Sequence, residues 1–160
     1  MKFTDYILID AINPAIKATD KAEVVREIVQ SLLDAGGIEK EAHAAIIKSF
    51  IKREELGSTA YYGSGRGFAV PETKHPSVKR TIGTVAISPD GIDFDGPDGE
   101  KTHVFFPLLG PTDKPGDFLW VVEHLMRRLK DDTLCRSLKL SKTRESILAL
   151  LEEADNNEKR

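Results

Sequence analysis

Between Lys21 and Gly36 the apolar positions recur in adjacent pairs. Val24, Val25, Ile28, Val29, Leu32 and Leu33 repeat every four residues, which puts one apolar stripe on a helix. Thr19-Asp20-Lys21-Ala22-Glu23 supplies its start: Asp20 caps the free N–H groups and Glu23 completes a capping-box pattern. Gly36-Gly37 ends it, because glycine tolerates the left-handed position past a helix terminus. A second helix is predicted over roughly 40–54, with Ala42, Ala45, Ile46, Phe50 and Ile51 inward and Arg53 at or near its end.

The middle of the chain changes period. Gly57 to Gly67 is rich in Gly, Ser and Tyr and reads as loop. Phe68-Ala69-Val70, stopped by Pro71, predicts a brief strand, and the β-branched run Thr81–Ile87 a largely buried one. Pro89-Asp90-Gly91 signals a turn, after which Ile92 and Phe94 alternate with Asp93 and Asp95 as a half-buried strand. Gly96-Pro97-Asp98-Gly99 is a further turn. Val104–Leu109 is the strongest buried strand, with Pro107 interrupting its ladder. Helical spacing then returns: Leu119, Val122, Leu125, Met126 and Leu129 share a face after Lys114-Pro115-Gly116-Asp117. Asp132 caps a short helix through Leu138, and Thr143 caps a last one carrying Ile147, Leu148, Leu150 and Leu151. Helices at both ends with strands between them predict an α/β fold. It is a three-layer sandwich with a mixed parallel and antiparallel sheet flanked by helices on both faces. One domain is expected over 1–154, followed by a polar tail, 155–160, that frays.

Composition narrows the function classes. A chain of 160 residues builds one real core. A formal charge of −3 gives no electrostatic case for nucleic acid or an anionic membrane. No apolar run approaches the roughly 20 residues that span a bilayer, and Met1–Asp10 lacks the features of a signal peptide. The single cysteine, Cys135, makes no internal disulfide and suits a reducing cytoplasm; it reads as a small helical residue. No histidine or cysteine pair has metal-ligand spacing, so no metal is expected. Gly63-Ser64-Gly65-Arg66-Gly67 fails the dinucleotide fingerprint, because Phe68 stands three residues past Gly65 and no helix follows. It also lacks Gly-Lys-Ser/Thr, so no cofactor is expected. It reads as a tight loop that brings backbone close to a pocket, with Tyr61 and Tyr62 beside it.

Two segments carry the candidate chemistry. Arg53-Glu54-Glu55-Leu56-Gly57-Ser58-Thr59 is followed by Gly67-Phe68-Ala69-Val70-Pro71-Glu72-Thr73-Lys74-His75-Pro76. Either alone is weak; in this order they resemble the active-site region of the enzyme IIA domains of the sugar phosphotransferase system. The resemblance is to the fructose/mannitol class, in its nitrogen-regulatory branch, and extends over most of the chain. It implies an α/β sandwich with a mixed sheet. It also implies the family's activity: accepting a phosphoryl group from the phosphocarrier HPr, or its nitrogen-branch counterpart, and passing it on or signalling with it. Residue by residue, Glu72 falls on the phosphorylated histidine, Arg53 on an arginine beside the phosphate, and Asp117 near a second active-site histidine. Ser58 and Thr59 are candidate partners for the phosphoryl oxygens. Both expected histidines are acidic, which favours divergence of the gene over a single engineered change.

Phosphoryl transfer to histidine needs a neutral imidazole nitrogen as nucleophile, with positive groups or N–H donors on the phosphoryl oxygens. A glutamate at position 72 already carries negative charge, smaller than the −1.5 to −2 of a phosphoryl group. Facing Arg53, it imitates the phosphorylated state. As a plain surface ion pair the two would contribute only about 0–1 kcal/mol. Two readings follow. One is a regulatory module without phosphotransfer, acting on a kinase or transporter by protein contact. The other is a working phosphocarrier that uses His75, three residues and about 10 Å of extended chain beyond Glu72. The chain has no attached permease or second carrier domain, which favours regulation over sugar uptake. His43 reads as a surface or boundary residue, and His103 and His124 as structural.

Overall fold

The computed structural model describes residues 1–60, 66–97 and 99–157. The expected roles of Tyr61, Tyr62 and the Gly63–Gly65 loop lie outside those residues. Five α-helices are present among them: α1 (Lys21–Asp34), α2 (His43–Glu55), α3 (Pro115–Arg128), α4 (Asp132–Leu140) and α5 (Arg144–Asn157). Helix α1 starts as its sequence dictates, with the Asp20 carboxylate accepting the Glu23 N–H at 2.9 Å. Its paired apolar residues Val24, Val25, Ile28, Val29 and Leu32 are buried. A short turn at Lys40–Ala42 precedes α2, which buries Ile46, Phe50 and Glu54. Ala45 is exposed, contrary to the sequence reading, because the buried stripe runs through positions 42, 46 and 50.

Six strands form two three-stranded mixed sheets. In one, β1 (Phe68–Ala69) runs parallel to β5 (Thr102–Phe105), and β4 (Ala86–Ile92) antiparallel to it. In the other, β2 (Glu72–Lys74) runs parallel to β6 (Leu108–Gly110), and β3 (Ile82–Gly83) antiparallel to it. The same three chain segments feed both sheets. The expected strands Thr81–Ile87 and Val104–Leu109 are each interrupted, the second at Phe106-Pro107, where proline has no N–H to donate. Backbone bonds from Phe106 to Ala69 and from Leu108 to Pro71 carry the chain across the break. The N-terminal segment also lies parallel to this layer: Gly83 donates to Tyr6, Leu8 to Gly83, and Ile87 to Asn13. Sequence pattern missed that segment, because it has neither helical nor alternating spacing.

Pro89-Asp90-Gly91 does not reverse the chain. It stays within β4, where the register with β5 shifts between Ile87 and Ile92 and Gly91 takes φ +78°. A Cβ there would come within 2.8 Å of the His103 ring, so glycine permits the close approach. Helix α3 is rotated from the expected face. Phe118, Val121 and Leu125 point inward, while Leu119 is 55% exposed. The cause is Gly110, which leaves room over β6 that the Phe118 ring fills. Asp131, not Asp132, caps α4, accepting from the N–H groups of Thr133 and Leu134. The tail expected from Asp155 remains helical through Asn157, because the buried Asp155 carboxylate accepts the Phe3 N–H at 2.8 Å. His124 is structural: its Nδ1 meets the Tyr6 hydroxyl at 2.9 Å in the core.

Candidate functional site

Glu72 opens β2, an edge strand, and its position follows from the chain on either side of it. Parallel pairing aligns Glu72 with Leu108 and Thr73 with Leu109. Leu109 faces the core under α1 and α2, beside Val25, Ile46 and Phe50. Leu108 belongs to the opposite core with Phe118 and Val121 of α3. Strand alternation therefore turns Glu72 and Lys74 toward the α3 side. The Lys74 ammonium sits 4.9 Å from the centroid of the Phe118 ring, which fits that placement.

Arg53 reaches the same edge from the last turn of α2. Its Nε lies 3.5 Å from the Glu72 carboxylate, and its Nη1 donates to the Gly57 carbonyl at 3.1 Å. The bond to Gly57 anchors the guanidinium across the helix C-terminus, where a cation also favours the helix dipole. About a fifth of the Glu72 side chain and a quarter of that of Arg53 remain exposed, so the pair is partly screened and reachable by a partner.

The other expected site residues are placed differently. Ser58 donates its hydroxyl to the Phe94 carbonyl, and the fully buried Thr59 donates its hydroxyl to the Glu54 carboxylate. Both hydroxyls are thus directed to acceptors inside the fold rather than to an oxyanion. His75 extends the β2 ladder by donating its N–H to Gly110 at 3.0 Å. Its ring Nδ1 meets the Ser77 hydroxyl at 2.6 Å and accepts the Ser77 N–H at 3.2 Å. The lone pair on that nitrogen is thereby engaged. Asp117 lies in the first turn of α3 and lines a cleft with Arg80, Lys114 and Trp120; Glu72 is not among that cleft's residues. Cys135 is buried, with its thiol donating to Leu129, and burial pushes that thiol up.

Sequence reasoning missed Glu54. A glutamate on a charged helix end gives no signal of burial, yet Glu54 is 7% exposed. Its carboxylate accepts the Thr59 N–H at 3.2 Å and lies 3.8 Å from the Lys21 ammonium, which itself pairs with Asp95 at 2.9 Å. Burial pushes the Glu54 carboxyl up, against the opposing pull of Thr59, Lys21 and Arg53. A carboxyl raised in the folded state holds its proton there longer than in the unfolded chain. Its contribution to stability is therefore full at low pH, falls as pH rises from the ordinary carboxylate range to the raised value, and is flat above it. Glu54→Gln is expected to abolish that decline, read as the difference between variant and parent in urea unfolding across the acidic range. A difference that does not change with pH contradicts this.

Similarity to known proteins agrees with the fold. Residues 6–154 match the family described as phosphoenolpyruvate-dependent sugar phosphotransferase system, EIIA 2. A nitrogen regulatory protein of Bradyrhizobium diazoefficiens is 29% identical over 151 residues, covering 94% of this chain and 95% of that protein. A nitrogen regulatory protein of Klebsiella oxytoca is 30% identical over 113 residues, 70% of this chain and 68% of that one. The crystal structure of nitrogen regulatory protein IIA-Ntr from Neisseria meningitidis superposes with a TM-score of 0.79 at 27% identity, covering 92% of this chain and 97% of that one. Among the described residues no helix is long and apolar enough to cross a membrane.

Proposed function

This chain belongs to the EIIA 2 family of the phosphoenolpyruvate-dependent sugar phosphotransferase system, and from that premise we propose that it is a nitrogen-regulatory EIIA that acts by protein contact without carrying a phosphoryl group. Its relatives named as nitrogen regulatory proteins support the regulatory half of this reading. The Arg53–Glu72 pair supports the other half: a guanidinium 3.5 Å from a carboxylate at the position where the resemblance puts the phosphorylated histidine. Glu72 brings a permanent negative charge to Arg53, so the surface that a partner meets is fixed in a phosphorylated-like state. At 3.5 Å and partly open to water, the pair holds its two charges where a partner can reach them. On this reading its role is recognition.

The rival reading is a phosphocarrier that uses His75. Nδ1 of that ring accepts the Ser77 N–H and meets the Ser77 hydroxyl at 2.6 Å, which engages the lone pair of that nitrogen. The two readings separate on exposure to phosphorylated HPr or its nitrogen-branch counterpart, followed by peptide mapping at a pH that preserves phosphohistidine. No phosphorylated peptide is expected from either the unmodified chain or His75→Ala. A labelled peptide 72–80 that disappears in His75→Ala would establish the carrier.

A further inference from the structure

A cleft of about 210 Å³ lies between the N-terminal segment, the turn before β3 and the start of α3. Its residues have features that folding alone leaves unexplained. Trp120 lines the cleft and is 62% exposed, so its aromatic face is open to a ligand. Thr81 is 7% exposed, and its hydroxyl finds no hydrogen-bond partner within the protein. Buried hydroxyls are ordinarily satisfied. Arg80 and Lys114 face the same cleft, and each donates to a backbone carbonyl at 3.3 Å, those of Asp5 and Lys79. No carboxylate of the described residues pairs with either cation.

The signs of charge select the ligand. A bare anion suits Arg80, Lys114 and the N-terminal turn of α3 but meets the Asp117 carboxylate in the same small space. A bare cation suits Asp117 and Asp5 and meets the two positive groups. Asp5 lines the cleft as well, its carboxylate keeping its charge while it accepts the Lys2 N–H at 2.8 Å, and Met1 lies beside it. A molecule that carries both charges a short distance apart suits a cleft lined by two cations and two carboxylates. Tyr6 and Trp120 then offer an apolar wall to whatever extends beyond those charges. We propose that this cleft binds an α-amino acid with an apolar side chain: its carboxylate on Arg80, Lys114 and the Thr81 hydroxyl, its ammonium on Asp117, and its side chain against Trp120. The volume suits such a ligand, being below that of pockets for drug-sized molecules and far above the space needed for a single water.

Trp120 is the only tryptophan in the chain, so its fluorescence reports on this cleft alone. L-leucine and L-phenylalanine would be titrated against the full chain by fluorescence, with calorimetry as a second readout. A saturable change is expected with at least one. N-acetyl-L-leucine lacks the ammonium and isoamylamine lacks the carboxylate; each should bind at least about tenfold more weakly, as should the chains Arg80→Gln and Asp117→Asn. Thr81→Val is the sharpest arm. Because the hydroxyl has no internal partner, its removal should leave the melting temperature unchanged or higher while weakening binding. No saturable change with either amino acid overturns the proposal. So does leucine binding that survives Thr81→Val, or analogues that bind as well as leucine. None of these outcomes depends on whether Glu72 accepts a phosphoryl group.

Discussion

Glu72→His is expected to convert a chain that takes up no phosphoryl group into one that takes up a single group from phosphorylated HPr or its nitrogen-branch counterpart. In the reaction a bond forms between phosphorus and the new imidazole nitrogen as the bond to the donor's histidine breaks, and the donor leaves as neutral imidazole. The protein's part is to position the nucleophile and to neutralise the phosphoryl oxygens. Arg53 is already 3.5 Å from position 72 and anchored by the Gly57 carbonyl. It would serve as the positive partner in place. Adding Arg53→Ala to Glu72→His should then slow uptake on the order of 10²-fold, the usual cost of removing one donor from an anionic transition state. Glu72→Gln should stay unlabelled, since removing the charge without supplying a nucleophile restores nothing. Uptake by Glu72→His that ignores the loss of Arg53 would show that the arginine does not face the transferred group.

Phe106→Ala is expected to carry the largest cost to the fold, about 3–5 kcal/mol as for other buried phenylalanine truncations. Phe106 is fully buried where the chain leaves one sheet for the other. Its ring stacks against Phe3 at 6.3 Å and Phe68 at 6.1 Å between centroids. Phe3 in turn donates its N–H to Asp155 of α5, so one ring ties the N-terminal segment, the sheets and the last helix together. A domain is stable by only about 5–15 kcal/mol, so the loss is a large fraction of the whole. Urea unfolding would read it, with Leu140→Ala as control, since Leu140 is 78% exposed and should stay within about 0.5 kcal/mol of the parent. A loss under about 1 kcal/mol at Phe106 would mean that the junction repacks around the gap.

The long helices were legible because their signals are local. Asp20, the paired valines and leucines of α1, and Thr143 before α5 need nothing beyond their neighbours to act. What the pattern misread depended on distant partners. The inward face of α3 was set by the missing side chain at Gly110, on the strand beneath it. The tail was kept helical by a bond between Asp155 and Phe3, near opposite ends of the chain. Pro89-Asp90-Gly91 has turn chemistry, yet pairing with β5 absorbs it as an irregularity. At the candidate site, motif order pointed to Arg53 and Glu72, and the structure brings those two together. It could not reveal that Ser58 and Thr59 turn inward or that Ser77 engages His75, because a hydroxyl's direction is decided by packing. The burial of Glu54 is invisible in sequence for the same reason.

On this reading the carboxylate at position 72 replaces the phosphoryl group rather than receiving it. Intact-mass analysis of the unmodified chain beside Glu72→His, after exposure to phosphorylated HPr or its nitrogen-branch counterpart under conditions that preserve phosphohistidine and acyl phosphate, tests it most directly. The expected result is no change in the unmodified chain and the mass of one phosphoryl group on Glu72→His. A phosphoryl group on the unmodified chain, at Glu72, His75 or elsewhere, would contradict the claim and make the protein a carrier.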